Sequence, residues 1–227
     1  NTARKTEEGI YYDAFNAAVQ LQARKDSQSM DAIQPPVFYN KSKLVPGVET
    51  LPSFLRFMAP VFEQFGGSTG GYGVSDTPVV FRHPLYQQNA APIICYESVY
   101  GEYVADYVKR GANLLTIMTN DGWWENTDGH KQHLQYAKLR AIETRRWVAR
   151  SANTGISAFI DPTGKIVQQL EWNQAGALQQ SVYTPSELSF YVQHGDYIFK
   201  IAVTASVFLL LISLRKRSKY VHKKQTA

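Results

Sequence analysis

The chain has 227 residues, 44% of them hydrophobic and 19% charged, enough for one large domain around a core. Six of its 24 Lys and Arg (Arg215, Lys216, Arg217, Lys219, Lys223 and Lys224) fall in the last thirteen residues, so the net charge of +5 belongs to the tail. Residues 1–214 hold 18 Lys and Arg against 19 Asp and Glu, a near-neutral body that excludes a basic nucleic-acid-binding face.

The first eight residues, Asn1–Glu8, are polar and show no signal-peptide pattern, so the chain reads as beginning inside a domain. Residues 9–25 read as a weak helix. Residues 26–36 form a polar loop ending in Pro35-Pro36, and Val37–Tyr39 a short strand. Ser53–Phe65 reads as a helix broken at Pro60. Gly66–Gly73 is a flexible glycine-rich loop without the Gly-Lys-Ser/Thr ending of a phosphate loop. Pro78–Phe81 reads as a strand, and the apolar run Ala90–Ile94 as a buried strand leading straight into Cys95. Tyr100–Arg110 then reads as a helix, Asn113–Thr119 as a fully buried strand and Gly129–Trp147 as a long helix. Val148–Ser151, Ile156–Ile160 and Ile166–Leu170 read as strands, the last two joined by an Asp161-Pro-Thr-Gly164 turn. Strands that alternate with helices and then form hairpins imply an α/β sandwich.

Within the long helix, Leu134, Ala137 and Ala141 share one face, and Tyr136, Leu139 and Trp147 the opposite one. Glu143 falls inside the second stripe, either solvated at its edge or paired with Arg140, Arg145 or Arg146. Further on, Tyr197–Leu214 is an 18-residue stretch with one charge, Lys200. A bilayer span takes about 17–25 such residues. Tyr197 and Phe199 suit the membrane interface, and the Arg-Lys-Arg cluster marks the cytoplasmic side.

Cys95 is the only cysteine, so it has no disulfide partner within the chain. At the end of a strand and before a helix it sits where a nucleophile would sit. Burial as a small core residue is the competing reading. Covalent catalysis by Cys needs a base and an oxyanion donor. His is the usual base, but His222 lies in the tail and His194 just before the apolar stretch. His130 and His133, with Asp128, make only a weak metal motif. No Gly-x-Ser-x-Gly elbow occurs. The alternative is a carboxylate base, with a lysine as the oxyanion partner.

Tyr39-Asn-Lys41-Ser-Lys43-Leu-Val-Pro-Gly-Val-Glu49 resembles the lysine segment of the nitrilase superfamily, and Ile94-Cys95-Tyr96-Glu97 its cysteine segment. Asn120-Asp121-Gly122-Trp123-Trp124, the run His133–Trp147 and Arg150-Ser-Ala-Asn153-Thr154-Gly155 are similar to the apolipoprotein N-acyltransferases of that superfamily. The resemblance covers about residues 39–164. It implies an αββα sandwich over residues 1–194 with its N-terminal part missing, one transmembrane helix at 197–214 and a basic cytoplasmic tail at 215–227. It implies a Glu-Lys-Cys triad with Cys95 as nucleophile and Lys41 as the lysine. The eight-residue step to Glu49 favours Lys41 over Lys43, and Glu49 supports the site. Tyr96, Glu97, Glu143 and Trp123 match supporting positions. Pro-Gly-Val-Glu here departs from the Pro-Phe-Gly-Glu common in the family. The base glutamate is expected upstream of the lysine, and neither Glu7 nor Glu8 has the strand context it needs, so the chain alone is expected to be inactive.

No metal and no cofactor is implied. The implied partners are a phospholipid acyl donor, a diacylated apolipoprotein acceptor and the bacterial inner membrane, with the catalytic domain in the periplasm. Trp123 and Trp124, with the Gly66–Gly73 loop, would admit lipid chains. A nitrilase-like amidase and an inactive membrane-anchored binding domain are the alternatives.

Overall fold

The computed structural model describes residues 2–6, 9–21, 35–51, 53–64, 72–83 and 86–225. Its centre is a six-stranded mixed sheet. The strands are β5 (Phe81–Arg82), β6 (Asn89–Ile94), β7 (Leu114–Thr119), β8 (Trp147–Ala152), β9 (Ser157–Ile160) and β10 (Ile166–Leu170), side by side in that order. β6, β7 and β8 are parallel, and the outer pairings are antiparallel. The parallel strands are joined by α2 (Gly101–Lys109) and α3 (Asp128–Thr144), as crossover connections require. A short α1 (Ala59–Gln64) precedes them.

The alternation of strand side chains explains which face the helices cover. On β7, Leu115, Ile117 and Thr119 are buried, whereas Leu114 and Thr116 are half-buried and Met118 is exposed. Leu115 and Ile117 join Val148, Ala158 and Ile160 in a core closed by Val104, Ala105 and Val108 of α2 and Leu134, Ala137 and Ala141 of α3. Beside β6 lies a two-stranded antiparallel sheet of β3 (Ala17–Gln20) and β4 (Val37–Asn40). Ala18 of β3 and Tyr39 of β4 are buried in the same core.

Residues 9–25 do not form the expected helix. β2 (Gly9–Asp13) pairs with β1 (Thr2–Thr6) in an antiparallel hairpin, and Ala17–Gln20 pairs with β4. Strand pairing, with the adjacent β1 for β2 and with the more distant β4 for Ala17–Gln20, decides the state there and overrides local propensity. In place of the expected helix over Ser53–Phe65, residues 53–64 form a 3-10 turn, Ser53–Met58, running into α1, and Pro60 sits in the first turn of α1, where its missing N–H is harmless. Residues 22–34 and 65–71, most of the two expected loops, lie outside the described residues, as do Glu7 and Glu8.

The long helix ends earlier than expected. Thr127 caps its N-terminus by accepting from the Gly129 N–H, and Arg145 ends it in the left-handed region at φ 55°. Trp147 is therefore the first residue of β8 and not part of a helical stripe. Tyr136 and Leu139, the rest of that stripe, are surface residues.

After α4 (Phe190–His194) comes α5 (Tyr197–Gln225), longer than the expected span. Within it Tyr197–Arg215, 19 residues of mean hydropathy 2.2 and none of it buried, is long and apolar enough to cross a membrane.

Candidate active site

A cavity of about 430 Å³ opens at the carboxyl ends of β6 and β7. Open α/β sheets place ligands at this end. Ile94 of β6 and Cys95 directly after it line one side, and Met118 and Thr119 of β7 with Asn120 directly after them line another. Asn16, Ala17, Lys41, Val48, Glu49, Tyr72 and Trp123 complete the wall. The chain thus brings Lys41 and Glu49, Cys95, and Trp123 together from three separate segments.

Cys95 begins a 3-10 turn, Cys95–Val99, directly after β6. Its φ of 51° is left-handed. That conformation costs a non-glycine residue about 1–2 kcal/mol, and such strain gathers at functional turns. The Cys95 carbonyl accepts the Ser98 hydroxyl at 2.8 Å, and the side chain is half-buried.

Lys41 follows β4 and is 1% exposed. Its Nζ donates to Glu49 Oε2 at 2.6 Å. Glu49 also accepts from the Val45 N–H at 2.8 Å and from Asn16 Nδ2 at 3.1 Å. The chain can return from Lys41 to Glu49 in eight residues because it turns tightly between Val45 and Thr50. Gly47 occupies the left-handed region there at φ 81°. The Pro-Gly-Val-Glu departure therefore still supports a turn that delivers Glu49. Lys43 goes elsewhere, its ammonium 5.2 Å above the Tyr103 ring.

Glu97 is fully buried and ties the lysine and cysteine segments together. Its Oε1 accepts from Tyr39 Oη and from the backbone N–H groups of Ser42 (2.7 Å) and Lys43 (3.2 Å). Its Oε2 accepts from the Ile94 N–H at 2.8 Å. Burial pushes its carboxyl up, and these hydrogen bonds offset only part of that push. Burial, and then the neighbouring Glu97 charge, push the Tyr39 phenol up as well.

Below Cys95 lies a second buried group. His133 Nδ1 is 2.9 Å from Asp121 Oδ1, and Arg150 is ion-paired to Asp121 Oδ2. Burial alone would raise the Asp121 carboxyl, but the His133 hydrogen bond and the Arg150 charge hold it below its usual range. Burial disfavours the charged form of Arg150, with Asp121 opposing that effect. Sequence reasoning placed these three residues within motifs without joining them. The signal was their residue type, but the segments are remote in sequence. His130 and His133 do not converge on one point, since His130 stacks on Trp172 at a centroid distance of 4.3 Å.

Glu143 and Tyr96 do not line the cavity. Glu143 pairs with Arg140 at 2.8 Å near the end of α3, and Arg140 in turn donates to the Val99 carbonyl at 2.9 Å. Burial pushes the Glu143 carboxyl up against the pull of Arg140. Tyr96 packs edge-on against Tyr100. Trp123, 69% exposed, stands at the cavity mouth, whereas Trp124 packs edge-on against His133.

A nitrilase-like α/β sheet with a cysteine at the end of a central strand and a buried lysine opposite defines a recognisable class. The chain belongs to the carbon-nitrogen hydrolase family, whose profile matches residues 9–184. It is 35% identical over 214 residues to the apolipoprotein N-acyltransferase of Chlorobaculum tepidum, an alignment covering 92% of this chain and 39% of that protein. It is 37% identical to that of Rhodopseudomonas palustris (79% and 33% covered) and 38% identical to that of Pseudomonas aeruginosa (76% and 33%). The chain thus spans two-fifths or less of the length of these relatives. Among solved structures, Saccharomyces cerevisiae Nit3, a member of branch 10 of the nitrilase superfamily, superposes with a TM-score of 0.45 at 17% identity, over 61% of this chain and 45% of its own. An amidase from Nesterenkonia sp. gives 0.41 at 19% identity, over 60% and 46%.

Proposed function

We propose that the chain carries the cysteine and lysine of an N-acyltransferase that moves a fatty acyl group from a phospholipid to the N-terminal amine of a diacylglyceryl-cysteine apolipoprotein. The observation that carries this reading is the shared cavity of Cys95, Lys41 and Glu49, in a chain whose relatives are named apolipoprotein N-acyltransferases. The Cys95 thiolate attacks the acyl ester carbon, and the electron pair of the carbonyl moves to oxygen. The Lys41 ammonium, held by Glu49, stabilises that oxyanion. Collapse expels the lysophospholipid alkoxide, which takes a proton, and leaves an acyl thioester on Cys95. The acceptor amine then attacks the thioester, loses a proton and frees the thiolate. Glu49 is committed to three donors, so a separate glutamate moves these protons, as the family resemblance implies.

The reading extends to location. Tyr197–Arg215 spans the inner membrane, with Arg215 and the following basic residues on the cytoplasmic side and the catalytic body in the periplasm. Trp123 receives the acyl chains at the cavity mouth, and Glu97 and Glu143 hold the site's framework from a distance.

The test is intact mass spectrometry of the full-length protein after incubation with phospholipid, beside Cys95→Ala. An added acyl mass that is lost in the variant and discharged by a diacylated lipopeptide amine supports the reading. Discharge by water alone would replace it with an amidase-like hydrolase, and no adduct on folded protein would replace it with a binding domain.

A further inference from the structure

The left-handed turn at Cys95 is held from beneath by groups that the chemistry above does not use. Besides the Ser98 hydroxyl, the Cys95 carbonyl faces His133 Nε2 at 3.2 Å, and the same nitrogen lies 3.0 Å from Ser98 Oγ. A carbonyl only accepts, so the imidazole holds the Cys95 carbonyl through an Nε2–H, while Nδ1 faces Asp121 Oδ1 and lies 3.4 Å from Arg150 Nη2. Asp121 is fixed in turn. Its Oδ1 accepts from the Thr119 hydroxyl at 2.8 Å, its own N–H donates to the Thr154 carbonyl at 2.7 Å, and Arg150, paired with Oδ2, donates through Nε to the Ile156 carbonyl at 3.0 Å. Ser98, Asp121, His133 and Arg150 are each at most 4% exposed.

Burying such a group adds little net stability, because desolvation offsets the pairing. What a connected buried network does supply is one geometry. This one joins the end of β7, β8 and α3 to a single backbone carbonyl, that of the strained residue in the cavity. We propose that His133 is a positioning residue for Cys95: its Nε2–H holds the Cys95 carbonyl, Asp121 and Arg150 orient the ring, and together they set the direction in which the thiol enters the Lys41 cavity. The inference rests on reading Cys95 as the nucleophile.

The two neutral amides separate this role from a merely structural one. Gln reproduces the reach of Nε2 and keeps a donor near the Cys95 carbonyl, whereas Asn reproduces only Nδ1 and its contact with Asp121. In the full-length protein, His133→Gln and His133→Asn are compared for the rate of Cys95 alkylation by iodoacetamide, for acyl-adduct formation with phospholipid, and for melting temperature. The expected result is that His133→Asn slows alkylation and acylation about tenfold or more while His133→Gln stays within about threefold, at similar melting temperatures. Equal slowing in both variants, or a wild-type rate in His133→Asn, overturns the proposal. If His133→Asn does not fold, Asp121→Asn decides: slowed alkylation supports the role and an unchanged rate overturns it. A wild-type protein that alkylates but forms no acyl adduct overturns the acyltransferase reading, and the alkylation comparison still judges His133.

Discussion

Replacing Glu97 by Gln changes one oxygen and should loosen the junction between the lysine and cysteine segments. Four donors converge on this carboxylate: Tyr39 Oη, the Ser42 and Lys43 N–H groups and the Ile94 N–H. An amide offers one acceptor oxygen, so whichever way it turns, an NH₂ group faces a donor. The less costly orientation keeps the oxygen on Ser42 and Lys43 and sets the NH₂ against the Ile94 N–H, which lies buried without a partner. Orphaning such a group costs about 1–3 kcal/mol. Locally that is roughly 5- to 150-fold faster exchange of the Ile94 amide, because each 1.4 kcal/mol is about tenfold. Burial already disfavours the Glu97 carboxylate, so the neutral side chain recovers some desolvation and the effect falls toward the lower end. Hydrogen–deuterium exchange of the peptide spanning Ile94, read by mass spectrometry on the full-length protein, measures it. Exchange at the wild-type rate at Ile94, Ser42 and Lys43 alike would refute the clamp.

Lys41→Met should reduce the acyl adduct on Cys95 by about 10²-fold or more, and Lys41→Arg should not restore it, since the planar guanidinium cannot replace a compact ammonium 2.6 Å from Glu49. Glu143→Gln should destabilise by about 1–3 kcal/mol in a denaturant titration by weakening the hold on buried Arg140. Adduct formation per folded molecule should stay unchanged, and a selective loss would place Glu143 in the chemistry. The Asp121 carboxyl is held below its usual 3.8, so its contribution to stability is present above that pH and is lost as pH falls through its lower folded value. The stability gap between wild type and Asp121→Asn, followed by thermal melts from acid to neutral pH, should therefore close at the acid end; a constant gap contradicts the assignment. Trp123→Ala should raise the KM for phospholipid and leave the melting temperature unchanged, because the side chain is largely exposed at the cavity mouth. An unchanged KM would remove Trp123 from the acyl path.

The central strands and their crossover helices were legible because buried parallel strands are continuous apolar runs. Ala90–Ile94 and Asn113–Thr119 needed no partner to be recognised, and both appear within one residue of the expected limits. The stretch 9–25 lacks such a run, and pairing with β1 and β4 decided it. The end of α3 was misplaced because Arg145, a residue with no special liking for the left-handed region, makes the turn that glycine usually makes. That shift moved Trp147 into the sheet and left Glu143 paired with Arg140 at the helix end.

By itself the sequence determined the chemistry on offer: one cysteine after an apolar strand, a lysine eight residues before a glutamate, and an apolar stretch with a single charge ahead of a basic tail. These are local facts, carried by residue type and short spacing. Only the tertiary structure decided that Lys41, Glu49 and Cys95 share one cavity, that Glu97 clamps the two segments from the interior, and that Asp121, His133 and Arg150 form one buried group beneath the turn. Each of those depends on contacts between segments tens of residues apart. Their geometry comes from how β7, β8 and α3 pack, and neither propensity nor spacing along the chain carries that information.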